Sequence, residues 1–530
     1  MGPPVPATGL QALILCGPGV SLNTFTSTPE ENPKGLIQIA NRPQIFYPIE
    51  WCKKMGITSI TLVSPPTAVP ALEAALSQNP HLTSLPSPSP SVLAPADLDM
   101  VTGTAELLRL PEVQACIKSD FLLLPCDLIC EIPGISFLET WMVEGRRGGL
   151  SVFYPTQGRE ESIKKEATDF VCMAPLEGDE IDNRSERGLS KLVLSMPMDT
   201  LKEKMEEDKG LLIRHSLVKR HAQVKMLTSY RDAHIYVFPY WVKDFARLNE
   251  KFQSVSEDLV GWWAKSEWQM GLGEKLKMNE IFQQESHSSA AGENGSDDGD
   301  IEQEISLTNM STTKTGTTDI YSENPVAYAS RVKGPGSEAK SELIIPPMLA
   351  YTHSSLSSAP LVRRVDSSAI LLSTSLRLAK LESIEEVGRA AASPFAFNTK
   401  IAETANVAQK STVTKSDCLV GENTTIEERC VIKESVIGAN CKISMGARLQ
   451  RCVLMDGAVV GPRAQLTGCV LGKRSNVGRE CVLKDSEVQH GNSIPDETEA
   501  KNEKFMIFEG MDEDGMDVSG DFDDDQDLGF

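Results

Sequence analysis

The stretch Cys418-Leu-Val420-Gly-Glu-Asn-Thr-Thr-Ile426-Glu-Glu-Arg-Cys-Val-Ile432-Lys-Glu-Ser-Val-Ile437 places an aliphatic residue every five or six positions. The rhythm continues through Ile443, Leu449, Leu454, Val460, Leu466, Leu471, Val477, Leu483 and Val488, in 6-6-5 steps that make a seventeen-position period. An α-helix, with a period of about 3.6, cannot produce that spacing, and neither can a strand with a period of about 2. A chain that returns to the same side of a three-sided coil every five or six residues does produce it. Such short-period self-similarity predicts a parallel β-helix, in which no coil buries its apolar side without its neighbours.

Two positions before each rung stands a small residue: Cys418, Thr424, Cys430, Ser435, Cys441, Ala447, Cys452, Ala458, Ala464, Cys469, Ser475, Cys481 or Ser486. In an extended segment, residues two apart point to the same face. A narrow interior is thereby filled by one branched and one small side chain per strand. Glycine follows five rungs directly (Gly421, Gly438, Gly461, Gly472 and Gly478), and its permissive backbone is expected to make sharp corners there. A less regular first coil is expected at Ile401, Val407 and Val413.

The pattern also explains half of the twelve cysteines, which take the small inward position and behave there as small hydrophobes. No C-x-x-C occurs, and the seven histidines form no ligand constellation, so neither a metal site nor a disulfide framework is expected. Unpaired cysteines point to a reducing compartment. No apolar run approaches the ~20 residues needed to span a bilayer. The run Leu10–Cys16 has no basic leader and reads as a buried strand. A soluble, cytosolic protein without cofactors follows.

The net charge of −22 argues against nucleic-acid binding. Ten acidic residues and no basic one lie between Glu509 and Phe530, which predicts a solvated tail. Ser286–Lys340 is polar and poor in aromatics and reads as disordered, and Asn79–Ala96, rich in proline and serine, reads as a loop insertion. The expected organisation is 1–283 as the first part of an α/β domain, 284–342 as an insertion, 343–395 as the end of that domain, 396–490 as the solenoid, and 491–530 as the acidic tail.

Ahead of the insertion, apolar strand candidates alternate with helical patterns. Gln11–Cys16, the end of Met55–Val63, Asp120–Asp127, Leu150–Tyr154 and Ala233–Phe238 read as strands, and Pro43–Met55 and Val101–Leu110 as helices. This alternation predicts a Rossmann-like, mostly parallel sheet covered on both faces. Ligands of such sheets bind at the carboxyl ends of the strands, which places Gly17, Gly19 and Asp127 on one rim. Taken alone, the Gly17-Pro18-Gly19 turn reads equally as a structural turn or a phosphate cradle. Asp127 reads as a helix cap or a magnesium ligand.

The order of these segments resembles the sugar-phosphate nucleotidyltransferase family. The matching segments are Gly17-Pro18-Gly19-Val20-Ser21, then Pro33-Lys34 running on to Asn41-Arg42-Pro43, then Gly103-Thr104-Ala105, Leu-Pro-Cys-Asp127, and Asp232-Ala233-His234-Ile235-Tyr236. The segment Arg363-Arg364-Val365-Asp366 looks like the close of the domain. The resemblance implies nucleotide-site positions at Gly17, Gly19, Lys34, Gly103, Asp127 and Asp232, with Asp127 at the family's magnesium ligand. It also implies a loop arginine, and Val20-Ser21 stand in its place. Pro18 removes a backbone donor from the same loop, and His234 stands where the family has glycine. Without a cationic clamp on the transferred phosphates, transfer is slowed by orders of magnitude. The site therefore reads as vestigial, with no catalytic residue and no metal.

The solenoid in turn resembles the hexapeptide repeats of left-handed β-helices, and its handedness rests on that resemblance. A degenerate nucleotidyltransferase-like domain joined to such a solenoid resembles the gamma and epsilon subunits of eukaryotic translation initiation factor 2B. Ser256-Glu257-Asp258-Leu259-Val260 and Trp262-Trp263, after Asp232–Tyr236, look gamma-like. The short stretch after Val488, from Gln489 to Phe530, leaves no room for the helical catalytic domain that follows the solenoid in epsilon. The resemblance implies a non-catalytic regulatory and scaffold subunit. Its partners would be the epsilon subunit, then the alpha, beta and delta subunits in an assembly with two copies of each, and initiation factor 2, whose GDP the complex exchanges for GTP. It implies no direct nucleic-acid or membrane contact. The rival reading is an active sugar-1-phosphate nucleotidyltransferase of the GDP-mannose pyrophosphorylase kind. A third is a β-helix scaffold unrelated to translation.

Overall fold

A computed structural model describes residues 8–17, 22–98, 101–176, 188–211, 213–282 and 344–507. The insertion expected at 284–342, the acidic tail from 508 onward, and Gly19 with its neighbours 18–21 lie outside the described residues.

The amino-terminal part is built on one nine-stranded sheet. Its strands are β1 (Gln11–Leu15), β2 (Ser59–Val63), β3 (Ser91–Leu93), β4 (Phe121–Pro125), β5 (Gly149–Pro155), β6 (Asp169–Ala174), β7 (Leu189–Pro197), β8 (Lys225–Phe238) and β9 (Met348–Thr352). Their order across the sheet is β3-β2-β1-β4-β8-β5-β9-β7-β6. The four strands from β3 to β4 run parallel. β1, β2 and β4 are largely apolar and buried, as strands covered on both faces must be, whereas the edge strand β3 is partly exposed. From β8 onward the pairings are antiparallel, apart from β9 with β5. Beyond β4 the sheet is thus mainly antiparallel, because β8 inserts antiparallel between β4 and β5. β6 also pairs with the start of β8, so the far half of the sheet closes on itself.

Two local expectations change. The segment 79–96 is not only a loop: Pro80–Thr83 is a helical turn, and Ser91–Leu93 supplies the edge strand beside β2. The helix expected at 101–110 is reduced to Thr104–Leu107.

The carboxyl-terminal part is a three-faced coil. Each face is a six-stranded parallel sheet, and partners stand seventeen positions apart along most of each ladder, as in Ile426↔Ile443↔Val460↔Val477. All thirteen small positions and all thirteen rungs from Val420 to Val488 are buried. The hydroxyls among them are satisfied on carbonyls, as where Thr424 Oγ1 donates to Gly438 O at 2.7 Å and Ser435 Oγ to Lys433 O at 2.7 Å. Pairing continues past the expected boundary at 490. Glu499–Lys501 pairs with Val482–Lys484, and Lys504–Phe505 with Glu487–Val488, so a further coil is completed. The expected boundary falls short because the last coil carries few aliphatic rungs, with Ala500 and Phe505 taking their places.

The rung-following glycines do not make the corners. The left-handed backbone there belongs to residues such as Asn423, Arg429, Glu434, Asn440, Arg451 and Arg463, with φ between 44° and 63°, and to Gly446, Gly457, Gly468 and Gly491, with φ between 67° and 77°. Gly438 is needed for a different reason: a Cβ there would lie 2.7 Å from the backbone nitrogen of Asp456 in the next coil.

One face of the coil is apolar on its outside as well. Leu419, Val436, Val453 and Val470, each one residue before a rung, belong to the same core as the α/β domain. Removing each such side chain from water stabilises the seam by about 1.5–3 kcal/mol. The helix Ser368–Lys380 lies in this seam. Polar contacts frame it, with Asn41 Nδ2 donating to Ile437 O at 2.7 Å, Lys473 Nζ to Asn32 Oδ1 at 2.8 Å, and Gln489 Nε2 to Ser27 Oγ at 2.7 Å.

Candidate functional site

The rim where β1 and β4 end carries the site. After β4 the chain continues through Cys126, whose N–H donates to Leu15 O at 3.0 Å, and delivers Asp127 with its side chain 0% exposed. Lys34 comes from the short turn Lys34–Leu36 and places Nζ 2.7 Å from Asp127 Oδ2. Val362–Arg364 pairs antiparallel with Leu128–Cys130 and brings Arg364 Nε to 3.5 Å from Asp127 Oδ1. Burial opposes the charge on Asp127, but Lys34 and Arg364 outweigh it and hold the carboxyl below the usual carboxylate range. Burial likewise pulls Lys34 down, and Asp127 more than restores it.

The pairing continues inward as an alternating chain of charges. Arg364 Nη2 is 4.0 Å from Asp366 Oδ2, and Asp366 pairs with Arg231. Arg231 reaches Glu166 at 3.6 Å, Glu166 reaches Arg363 at 3.5 Å, Arg363 reaches Glu161 at 3.6 Å, and Glu161 binds Arg159 at 2.6 Å. Every cation named here has a carboxylate of this chain beside it. A buried charge that loses such a partner costs several kcal/mol, so an incoming polyphosphate would have to break pairs already made.

Asp232 stands on β8 at a bulge where the register shifts between Asp232 and Tyr236. One of its oxygens accepts the N–H of His234 at 2.8 Å and the other the hydroxyl of Tyr236 at 2.5 Å, while its own N–H donates to Asp169 Oδ2 at 2.7 Å. Burial, reinforced by the Asp169 carboxylate, pushes the Asp232 carboxyl up to about 7. His234 occupies the bulge with φ 53° and half-buried. Burial, together with Arg364, depresses its pKa, so the imidazole is neutral at pH 7.

The glycines differ. Nothing lies within 4 Å of a Cβ built on Gly17, whereas one on Gly103 would meet Gln253 O at 2.2 Å. Gly103 is therefore a packing glycine, and its segment is held by Ala105 N–H donating to Gln253 O at 2.9 Å and Val255 N–H to Thr104 Oγ1 at 2.9 Å. Lys34 and Asp127 meet directly, and Gly17 sits at the end of β1 on the same rim. Asp232 holds a separate set of hydrogen bonds with Tyr236 and His234. Arg364, Arg231 and Asp169 complete the arrangement, and sequence reading did not assign them. The pair Arg363-Arg364 was visible in the sequence, but only the antiparallel pairing with Leu128–Cys130 aims Arg364 at Asp127.

A magnesium ion, which the nucleotidyltransferase resemblance implies, does not fit these residues. Both oxygens of Asp127 face cations, and both oxygens of Asp232 already accept hydrogen bonds. Among the described residues, no group of three or more His, Cys, Asp or Glu is placed to hold a metal. No described helix is long and apolar enough to cross a membrane.

Fold and site together define a nucleotidyltransferase-like α/β domain with a charge-filled rim, joined to a left-handed parallel β-helix. Residues 398–498 match the family described as the EIF2B subunit epsilon LbH domain. The chain is 30% identical over 263 residues to the translation initiation factor eIF2B subunit gamma of Schizosaccharomyces pombe, a stretch covering 49% of this chain and 52% of that protein. The chain thus spans about half the length of this relative. It is also 30% identical over 95 residues to the bifunctional protein GlmU of Ruthia magnifica subsp. Calyptogena magnifica, covering 17% of this chain and 21% of that protein.

Proposed function

We propose that this chain is a non-catalytic, gamma-type subunit of translation initiation factor 2B, acting in the cytosol. On this reading it pairs with the epsilon subunit and joins an assembly with the alpha, beta and delta subunits, two copies of each. It supports the exchange of GDP for GTP on initiation factor 2 without performing it. The observation that carries the reading is Asp127, buried with Lys34 on one oxygen and Arg364 on the other. A domain that neutralises its own rim in this way retains large surfaces while giving up the open carboxylate and free cations that nucleotidyl transfer requires. The substitution of Val20-Ser21 for the family's loop arginine supports the same conclusion, as does the similarity to a gamma subunit.

The test mixes the purified chain, the epsilon subunit and initiation factor 2 loaded with labelled GDP. A stable complex that accelerates GDP release beyond epsilon alone is expected, with no release by this chain by itself. Release by this chain alone, or failure to bind folded epsilon, overturns the assignment. A parallel mixture of the chain with Mg²⁺, a sugar-1-phosphate and each nucleoside triphosphate should yield no pyrophosphate. Turnover that disappears in Asp127→Asn would establish the sugar-1-phosphate nucleotidyltransferase reading instead.

A further inference from the structure

Two thiols beside the filled rim have no part in the charge chain. β1 and β4 are parallel neighbours in register, with Leu15 opposite Pro125, so the residues that follow, Cys16 and Cys126, face each other. Both side chains are buried in the same core on one face of the sheet, Cys16 at 4% and Cys126 at 1% exposure. Neighbouring strands lie about 4.8 Å apart, which falls within the Cα separation of roughly 4.4–6.8 Å that a disulfide spans. Lys34 and Arg364 add positive potential at Cys126. The solenoid cysteines have no such cations and lie deep inside the coil. The facing Cys16 thiol, aided by these two cations, lowers the pKa of the Cys126 thiol, and the facing Cys126 thiol and burial raise that of Cys16. A thiol near cations and next to a resolving thiol shares the electrostatics of redox-reactive cysteines, while its burial sets it apart from the exposed ones.

We propose that Cys16 and Cys126 form a dithiol that hydrogen peroxide oxidises to a disulfide on the rim beside Asp127. The Cys126 sulfur attacks one peroxide oxygen, the O–O bond breaks, and the leaving oxygen departs as water with the thiol proton, which leaves a sulfenic acid. The Cys16 sulfur then attacks the Cys126 sulfur, the S–O bond breaks, and a second water leaves with the Cys16 proton. Two thiols are oxidised by two electrons in all, and one peroxide is reduced to two waters.

The test treats the folded full-length chain with hydrogen peroxide, alkylates the remaining thiols, and maps the cysteines by mass spectrometry. The expected result is a Cys16–Cys126 disulfide, two fewer free thiols per chain, and full recovery with dithiothreitol. Cys16→Ser should remove the disulfide and let Cys126 proceed to irreversible acids. Since the map is read on the parent chain, the outcome does not hinge on whether the variant folds. Full alkylation of both residues after treatment overturns the proposal. So does a map in which other cysteines oxidise while these two remain thiols, or one with isolated oxyacids and no disulfide.

Discussion

Asp127 and Asp232 carry the same side chain, and their surroundings drive them in opposite directions. Asp127 is ionised against two cations, so its contribution to stability is present above the unfolded carboxylate pKa and is lost as pH falls below it. Asp232 has its folded pKa raised to about 7 by burial and Asp169, so folding favours its protonated form. As pH rises from the unfolded value toward 7, the folded state must hold a proton that the unfolded chain has released, and stability falls. Above about 7 the penalty is complete. Asp232→Asn should remove this dependence, so the variant gains on the parent by about 3 kcal/mol between pH 5 and pH 8. Urea unfolding of both proteins across that range measures the difference, and parallel pH profiles would show that Asp232 does not carry the buried proton. The aspartates themselves were legible in the sequence from strand endings and segment order. Their opposite electrostatics were not, because Arg364 and Asp169 reach them from distant segments.

In the solenoid the coil is the repeating element, and its demands are local. Inward positions alternate branched and small side chains because the interior admits no more volume. Positions after some rungs must be glycine because the next coil's backbone passes too close for a Cβ. This separates two glycines that look alike in the sequence. Gly438 is required by contact, whereas Gly446 adopts φ 77° and its added Cβ would come no closer than 3.4 Å, to the flexible Arg463 side chain. Gly446→Ala should therefore cost about 1–2 kcal/mol of left-handed strain. Gly438→Ala should cost more, since overpacking alone is worth about 1–3 kcal/mol and the intruded atoms are backbone. Thermal unfolding of the two variants ranks them, and equal midpoints would contradict this division of roles. The rungs and small positions were readable from spacing alone. The corner residues were not, since asparagine, arginine, glutamate, aspartate and glycine share that role without a common pattern.

At the scale of the molecule, the seam between sheet and solenoid makes one body of two folds. Its apolar stripe, Leu419, Val436, Val453 and Val470, repeats once per coil like the rungs and points the other way. The segment from Thr24 to Asn41 joins this seam to the rim, since it supplies Lys34 to Asp127 and Asn32 and Asn41 to the coil. Val453→Asp would bury an unpaired charge in the seam, at a cost on the order of several kcal/mol. The interior of the coil is untouched by that change, so the two parts should separate before either unfolds. Limited proteolysis in 381–400 should become rapid while the solenoid fragment stays resistant. Unchanged resistance at that linker would mean that the stripe does not hold the parts together.

The sequence by itself determined the solenoid, because each coil pairs with the coils directly before and after it and so writes its period into the chain. It also determined the strand-and-helix alternation of the first domain and the loss of the loop arginine, which are properties of contiguous segments. Tertiary structure alone decided that Arg364 closes on Asp127, that Cys16 faces Cys126, and that β8 turns half of the sheet antiparallel. Those outcomes join residues tens to hundreds of positions apart, and no local period or propensity encodes which distant strand a given strand will meet. The outward stripe lies between the two cases. Its spacing is visible in the sequence, but only the docked α/β domain explains why one face of the coil is apolar on both sides.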